Sequence, residues 1–553
     1  MGKIKVLPKD VVSKIAAGEV IHRPSAVIKE LIENSLDAKS KTITIELKNF
    51  GLDLIKVSDD GTGMEKEDIA LCFKQFTTSK ISNLEDLSFI SSYGFRGEAL
   101  YSISQVSNLI LKSRPKGQSF GYTALLKGGE LLSFDVSGMR SGTQVIAEDL
   151  FINLPPRRAF LSAQKHNFQA ILNTIIPFLF SHPQVSFLVL HNGKEVLNAK
   201  KGTLKTRIGT AFGSSVTNGL IALNTAVDDT QISGFISHPG IRFPFRNNMF
   251  TYVNDRCISS LTLRELIKKA YSDLLDAPSF PLAVVFVNMP ASKIDANIHP
   301  RKEEVLFFEE KKVNSAIFES VTRSLRDANL AFGVEFVDDK FKESYKGLSE
   351  ALSSTQGLFL KGSEENEVLQ IGNLYLLCAK DNKILIFDQH ATHEKILFNE
   401  LKKEFEKGKN TYHRFDTPVI IDIPLNFKAV LDEHLDLLNG LGFEIEEFGT
   451  TTYRVSLVPY VLSSLSLDVL LLEIVNELSQ IKTVSNVDSM SHKLLATIAC
   501  RSAIKAGDKI DPETRKKLVE KAMGSDFLDT CPHGRPVRIE LSIKELDKFF
   551  KRK

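Results

Sequence analysis

The sequence predicts an α+β chain of several domains, and three observations carry that expectation. At 553 residues the chain exceeds what one hydrophobic core usually organises, so two to four domains are expected. Up to about residue 330, stretches of helical periodicity alternate with period-two stretches, the pattern of mixed α/β units. Between about 333 and 365 that pattern gives way to Ser, Gly, Lys and Glu, which reads as a short linker before order resumes. The domains expected are 1–215, 216–332, the linker 333–365, and 366–553 with a subdomain inserted at about 427–495. No internal repeat is visible.

In order along the chain, "PSAVIKELIENSLDA" has apolar positions at helical spacing, "KTITIEL" alternates as a strand, and "GLDLIKVSDDGTGM" is a strand entering a glycine turn. The second unit offers the strands "MFTYVND" and "PLAVVFVNM" and the helix "SLTLRELIKKAYSDLL". The third opens with the strands "NLYLLCA" and "KILIFD", followed by helices.

Composition is that of an ordinary soluble chain, 43% hydrophobic and 25% charged. No apolar run approaches the roughly 18 residues of a membrane span, so none is expected. The start "MGKIKVLPKD" has no apolar core or cleavage site of a secretory signal, and Val6 does not suit myristoylation. Five scattered cysteines do not make a disulfide framework, and a reducing cytoplasm is the expected location. A net charge of +2 means that any DNA affinity comes from local patches.

Two groups of residues carry chemistry. In "ELIENSLDA", Glu30, Asn34 and Asp37 fall at i, i+4 and i+7 and share one helix face. A lone helix of this kind is usually a solvated face. Here it is followed by "DDGTGM" (59–64), whose glycines allow close backbone approach, and by "TTSK" (77–80), with two hydroxyls and a cation. "YGFRGEAL" (93–100) then puts glycines before a helix start, where free amides favour phosphate, and "SGTQV" (141–145) adds a strand. Together, in this order, they point to a nucleotide pocket.

The second group begins with "FDQHATHEKILFNE" (387–400). Asp388 ends a strand, and His390 and Glu394 are one helical turn apart and face one point. His393 lies three residues from His390 and could face the same point, with solvent the better reading. Cys500 in "IACRSAIKAG" and Cys531 and His533 in "CPHGRP" complete a Cys, His and carboxylate set suited to Zn²⁺ and tolerant of Mn²⁺. The spacing is that of a site assembled from distant segments, not of a zinc finger.

At these motifs the chain resembles the GHKL ATPases, the superfamily of gyrase, the Hsp90 chaperones, histidine kinases and the mismatch-repair MutL family. "IAAGEVIHRPSAVIKELIENSLDA", "GFRGEAL", "DLFINLPPRRAFL" and "IDANIHPRKEEVLF" are similar to MutL motifs in particular, and the resemblance spans essentially the whole chain. It implies an N-terminal GHKL α/β sandwich, a second α/β transducer domain, a linker and a C-terminal α/β dimerisation and endonuclease domain. It implies that Glu30 is the general base of ATP hydrolysis, that Asn34 binds Mg²⁺, and that Asp59, with Thr143, receives the adenine amino group. Gly61 and Gly63 would line the base pocket. Thr78, Ser79 and Lys80 with Gly94, Phe95, Arg96, Gly97, Glu98, Ala99 and Leu100 would lie over the phosphates, and Lys302 would reach the γ-phosphate. The family usually has Ala where this chain has Thr77, a departure expected to matter little.

Asp388, His390, Glu394, Cys500, Cys531 and His533 match the endonuclease motifs of MutL proteins that nick DNA themselves. Asp388 is either a base or a bridging ligand. The outer Glu of the motif is absent: position 399 is Asn, and the nearest acid is Glu400. The resemblance further implies a homodimer that acts on DNA with the mismatch-recognition protein MutS, the replication sliding clamp and a helicase. At the clamp motif, "VIIDIP" has Val419 where Gln is usual. Arg264, Lys268 and Lys269 are candidate phosphate contacts, and a solvated surface helix is as good a reading of them. Arg157 and Arg158 read as either structural or DNA-facing.

Other classes compete. A histidine kinase would need a phospho-accepting helix ahead of the ATP domain, and only a short segment precedes residue 30. An ATP-gated DNA matchmaker with a structural metal shares the N-terminal ATPase but not the nicking. A chaperone-like ATPase predicts neither metal dependence nor DNA affinity.

Overall fold

The computed structural model describes residues 17–18, 20–80, 93–94, 97–162, 167–244, 246–272, 274–275, 279–295, 305–331, 368–380, 383–407, 412–463, 466–480, 487–504, 507–524, 530–531 and 536–545. The expected linker lies outside them. The chain forms two compact units: residues up to Arg326 with Asp422–Glu433 and Glu447–Tyr453, and the remainder.

The first unit is built on β1 (Thr42–Lys48), β2 (Leu54–Asp59), β3 (Asn108–Arg114), β4 (Gly121–Lys127), β5 (Glu130–Ser137), β6 (Gly142–Glu148), β7 (Ser186–His191) and β8 (Lys194–Ala199). They form one sheet in the order β5-β4-β3-β6-β2-β1-β7-β8. β1 and β7 run parallel; the other neighbours are antiparallel. Alternation in β1 buries Ile43, Ile45 and Leu47 on one face, as a half-covered strand requires. Helices α1 (Pro24–Asp37), α2 (Ala99–Val106) and α3 (Asn167–Ser181) belong to the same module, and α1 packs on α3. Pro24 starts α1, where its fixed φ and missing N–H cost nothing. Val27, Ile28, Leu31, Ile32 and Ser35 are buried along α1, which leaves Glu30, Asn34 and Asp37 half-buried on its polar face.

Within the same unit lies a second sheet made of β9 (Leu220–Val227), β10 (Thr230–Ser237), β11 (Met249–Val253), β12 (Arg256–Ile258) and β13 (Ala283–Asn288), in the order β12-β11-β13-β10-β9. Its centre, β13, is apolar at successive positions and buried on both faces, with α4 (Leu261–Ala270) and α5 (Glu310–Ala331) contributing Ile267 and Val321 to the core. The buried Tyr252 hydroxyl donates to the Pro177 carbonyl of α3 at 2.8 Å, tying this sheet to the first module.

The second unit holds a four-stranded antiparallel sheet of β14 (Leu369–Ile371), β15 (Tyr375–Lys380), β16 (Lys383–Asp388) and a last strand, Arg538–Ser542, in sequential order. Leu376, Cys378, Leu385 and Phe387 fill one face beneath α6 (Gln389–Lys407) and the helix Pro512–Ala522. The opposite face is also apolar: Leu377, Ile386 and Ile539 align across three strands, and Leu369, Ile371, Tyr375 and Ile539 are exposed. Between residues 412 and 459 the chain makes a three-stranded sheet of Tyr412–Asp422, Thr452–Pro459 and Glu444–Glu447. Helices α7 (Leu425–Gly440), α8 (Leu467–Gln480) and α9 (Val487–Ser502) complete the picture, and α9 packs against α6 and α8. Among the described residues no helix is long and apolar enough to cross a membrane.

Candidate functional site

The N-terminal pocket is set by the end of β2. Asp59 pairs in register with Thr143 of β6, which brings these two sequence-distant residues together. The Asp59 carboxylate accepts from the Gly61 amide at 2.9 Å, the Ser35 hydroxyl at 2.9 Å and the Thr143 amide at 3.3 Å. Burial pushes its pKa above the ordinary carboxylate value, and these donors oppose that shift. Gly63 has φ +74°, and a Cβ there would sit 2.3 Å from the Arg114 carbonyl oxygen, so only glycine fits. At Gly61 a Cβ would meet Ser40 and Ala38 at under 3 Å. Behind the turn, the Ser113 and Thr143 hydroxyls bond at 2.9 Å, and the Met64 amide donates to Ser113.

Asp37 collects the segments that carry Lys80 and the Tyr93–Gly94 turn. Its carboxylate accepts from the Lys80 ammonium and from the Tyr93 and Gly94 amides, the latter two at 3.0 and 3.2 Å. The same ammonium donates to Asn34 Oδ1 at 3.1 Å. Gly97 (φ +63°) lies against Thr77, whose carbonyl would be 2.2 Å from a Cβ there, and Gly97 O accepts from the Phe76 amide. The Thr77 hydroxyl donates to the carbonyls of Leu71 and Lys74, so the departure from Ala is absorbed by the preceding turn. The Thr78 hydroxyl accepts from the Lys80 amide at 3.2 Å. Glu98 precedes α2, which begins with Ala99 and Leu100. Glu30 sits one turn before Asn34 on the polar face of α1. Phe95, Arg96 and Lys302 lie outside the described residues.

In the second unit the side chains of His390, Glu394 and Cys500 converge, with one potential ligand atom from each within 4.8 Å of the others. His390 Nε2 stands 3.9 Å from both Glu394 Oε2 and Cys500 Sγ. His390 Nδ1 donates to the Ile504 carbonyl at 2.9 Å, which fixes the tautomer and turns the Nε2 lone pair toward Glu394 and Cys500. Glu394 is 1% exposed, and a carboxylate this buried needs compensation by a cation or by donors. A His, Cys and Glu set with an oriented imidazole suits Zn²⁺.

The other predicted ligands divide. Asp388 lies outside this group; its Oδ1 accepts from the Ala391 amide at 2.8 Å and so caps α6. Cys531 is buried against Ala391 and Val537, also outside the group, and His533 lies outside the described residues. Glu400 pairs with Lys521 at 2.7 Å and does not serve as the missing outer carboxylate in this arrangement. His393 Nδ1 accepts from the Ile504 amide at 2.9 Å, so both histidines grip the backbone of Ile504, one at its N–H and one at its carbonyl.

Among the DNA candidates, Lys268 lies 5.1 Å over the Phe280 ring and Lys269 5.8 Å over Phe318, and Arg264 is half-buried. Arg157 donates to Gly18 O, and Arg158 to Leu52 O, Leu150 O and Asp53, which makes both structural links.

Comparison with known proteins bears on the whole chain. The DNA mismatch repair protein MutL of Trichlorobacter lovleyi is 32% identical over 99% of this chain and 99% of its own length. That of Dictyoglomus turgidum is 33% identical over 100% of both. The chain belongs to the MutL family. Residues 22–128 match the family described as histidine kinase-, DNA gyrase B-, and HSP90-like ATPase, and 208–326 the DNA mismatch repair protein C-terminal domain. Residues 368–510 match the MutL C terminal dimerisation domain. A crystal structure of the N-terminal domain of a DNA repair protein is similar at 26% identity and a TM-score of 0.51, over 58% of this chain and 99% of that one. This MutL chain therefore combines an N-terminal GHKL ATPase domain with a C-terminal dimerisation domain. Two of its site contacts were not assigned from sequence: the gathering of Lys80, Tyr93 and Gly94 by Asp37, and the grip of His393 on Ile504. The place of Asp37 on the Glu30 and Asn34 face was the available signal for the first; nothing local signals the second.

Proposed function

We propose that this MutL chain is an ATP-dependent homodimer of the cytoplasm that links mismatch recognition to strand removal and nicks DNA at its C-terminal unit. The observation that carries the nicking is the cluster of His390, Glu394 and Cys500, with His390 held in its ligand tautomer by Ile504. Cys531 and His533 are proposed to join these three in holding Zn²⁺ or Mn²⁺. Such an ion, when bound, supplies Lewis acidity toward a phosphodiester. Asp388 keeps Oδ1 on the Ala391 amide and presents Oδ2 as the proton acceptor. In the ATPase domain, Glu30 is proposed to take the proton from water, Asn34 to bind Mg²⁺ and Asp59 to receive the adenine amino group. Thr78, Ser79, Lys80, Lys302 and the residues from Gly94 to Leu100 are assigned to the phosphates.

Membership of the family supports MutS, the sliding clamp and a helicase as partners. The apolar second face of the C-terminal sheet supports the homodimer. One contact favours the alternative, a non-nicking matchmaker: the helix cap by Asp388 gives that residue a structural reason to be present.

The test is nicking of supercoiled plasmid with Mn²⁺ by the full chain, beside Asp388→Asn. Asparagine caps a helix as well as aspartate, so this variant should keep its fold. Wild type is expected to nick, and Asp388→Asn to lose at least a hundredfold of that rate at unchanged ATP turnover. Glu30→Ala should lose ATP turnover instead. If neither wild type nor variant nicks while ATP hydrolysis persists, the matchmaker reading replaces this one.

A further inference from the structure

On α6, Ala391, Lys395, Phe398 and Lys402 fall at i, i+4, i+7 and i+11 and form one stripe about 16 Å long. At its inner end Ala391 packs against Cys531. At its outer end Lys402 is exposed, and His492 of the facing helix α9, also exposed, sets its ring edge-on to Phe398 at 4.7 Å. Between them Lys395 is only 7% exposed, with its ammonium 5.8 Å from the centre of the Phe398 ring. No hydrogen bond or ion pair to Lys395 is formed among the described residues.

The Lys395 stem is buried while its ammonium keeps some exposure, and no ion pair among the described residues holds that charge. Burial lowers the Lys395 pKa, with Lys402 adding to that and the Cys531 side chain opposing it. Lys395 and Lys402 thus set two cations along the stripe, with the His492 ring against Phe398 between them. One strand of a duplex carries a charge about every 3.4 Å of axis, so a stripe of this length meets several backbone phosphates.

We propose that the groove between α6 and α9 is a DNA-phosphate track leading to the metal cluster, with Lys402 and His492 at its mouth and Lys395 at its floor. The identification of the anion as DNA backbone rests on the nuclease reading above, because a phosphodiester is what that cluster would receive. Lys395 is then a positioning residue: it draws the backbone inward beside Cys531 without touching the bond that breaks.

The test is binding of a short fluorescent duplex by the full chain across a salt series, with bound zinc and ATP turnover measured on the same samples. Lys402→Ala and Lys395→Met are each expected to lower the slope of log Kd against log salt by about one, at unchanged zinc content. Lys395→Arg should keep the slope. An unchanged slope in Lys402→Ala, which is exposed and safe for folding, overturns the track. Loss of zinc from Lys395→Met with DNA binding intact also overturns it, and assigns Lys395 to Cys531 alone. A wild type that fails to nick while the slopes fall as stated removes the nuclease reading and leaves the track standing.

Discussion

Ile504 is an ordinary apolar residue by sequence, yet its backbone N–H and carbonyl order the C-terminal site. Its carbonyl accepts from His390 and its amide donates to His393, so the two rings and the end of the helix bearing Cys500 are held together. His393 thus positions His390 through one shared backbone residue. Partners of this kind typically change metal affinity by about 10- to 100-fold when removed. His393→Leu is therefore expected to weaken zinc binding by that order, measured by competition with a chromophoric chelator. His393→Asn retains an acceptor and should recover part of it. Equal affinity in wild type and His393→Leu would show that Ile504 needs only one of the two rings. The sequence made the residues of the motif legible but not this link, because the two partners are 111 positions apart.

At the scale of elements, the N-terminal pocket was the more readable of the two. Its motifs are local: a glycine turn after a strand, a hydroxyl-rich segment, and glycines before a helix. Each carries its reason in a few neighbouring residues, as Gly63 does in its positive φ and its contact with Arg114. The pairing of Asp59 with Thr143 follows from strand register, which the alternation within β2 and β6 does not specify. In the C-terminal unit, α6 carries three kinds of contact. Asp388 caps it, His390 and Glu394 converge with Cys500 of α9, and Phe398 of the Lys395 stripe meets His492 of the same helix. Helical spacing revealed the second. The first and third required knowing what lies opposite.

For the whole molecule, the match to a dimerisation domain at 368–510 and the exposed apolar face of the C-terminal sheet put the proposed homodimer interface on that sheet. A sheet apolar on both faces, with helices over one, leaves Leu377, Ile386 and Ile539 in need of cover. In the proposed homodimer a second copy offering the same strands would provide it through an isologous interface. Ile386→Asp should convert the dimer to a monomer in sedimentation velocity while ATP turnover per chain, unstimulated, remains within about twofold. A variant that still sediments as a dimer would place the interface elsewhere. The thermal midpoint of wild type should rise with protein concentration, because association stabilises the folded chain by mass action. The multidomain α/β plan was visible in the spacing of helical and strand patterns. The second apolar face was not, since Leu377, Ile384 and Ile386 lie in continuous apolar runs that do not distinguish a buried strand from one awaiting a partner.

The hold of Lys80 on Asn34 has a consequence for the order in which ligands arrive. With its side-chain oxygen engaged by an ammonium, Asn34 offers a divalent cation a poor and electrostatically guarded position. Phosphates bound at Lys80, as proposed, would draw that ammonium away and bring negative charge of their own. Mg²⁺ and nucleotide should therefore enter as one unit: calorimetric titration with Mg²⁺ alone should give no heat from this site, and the same titration after nucleotide should.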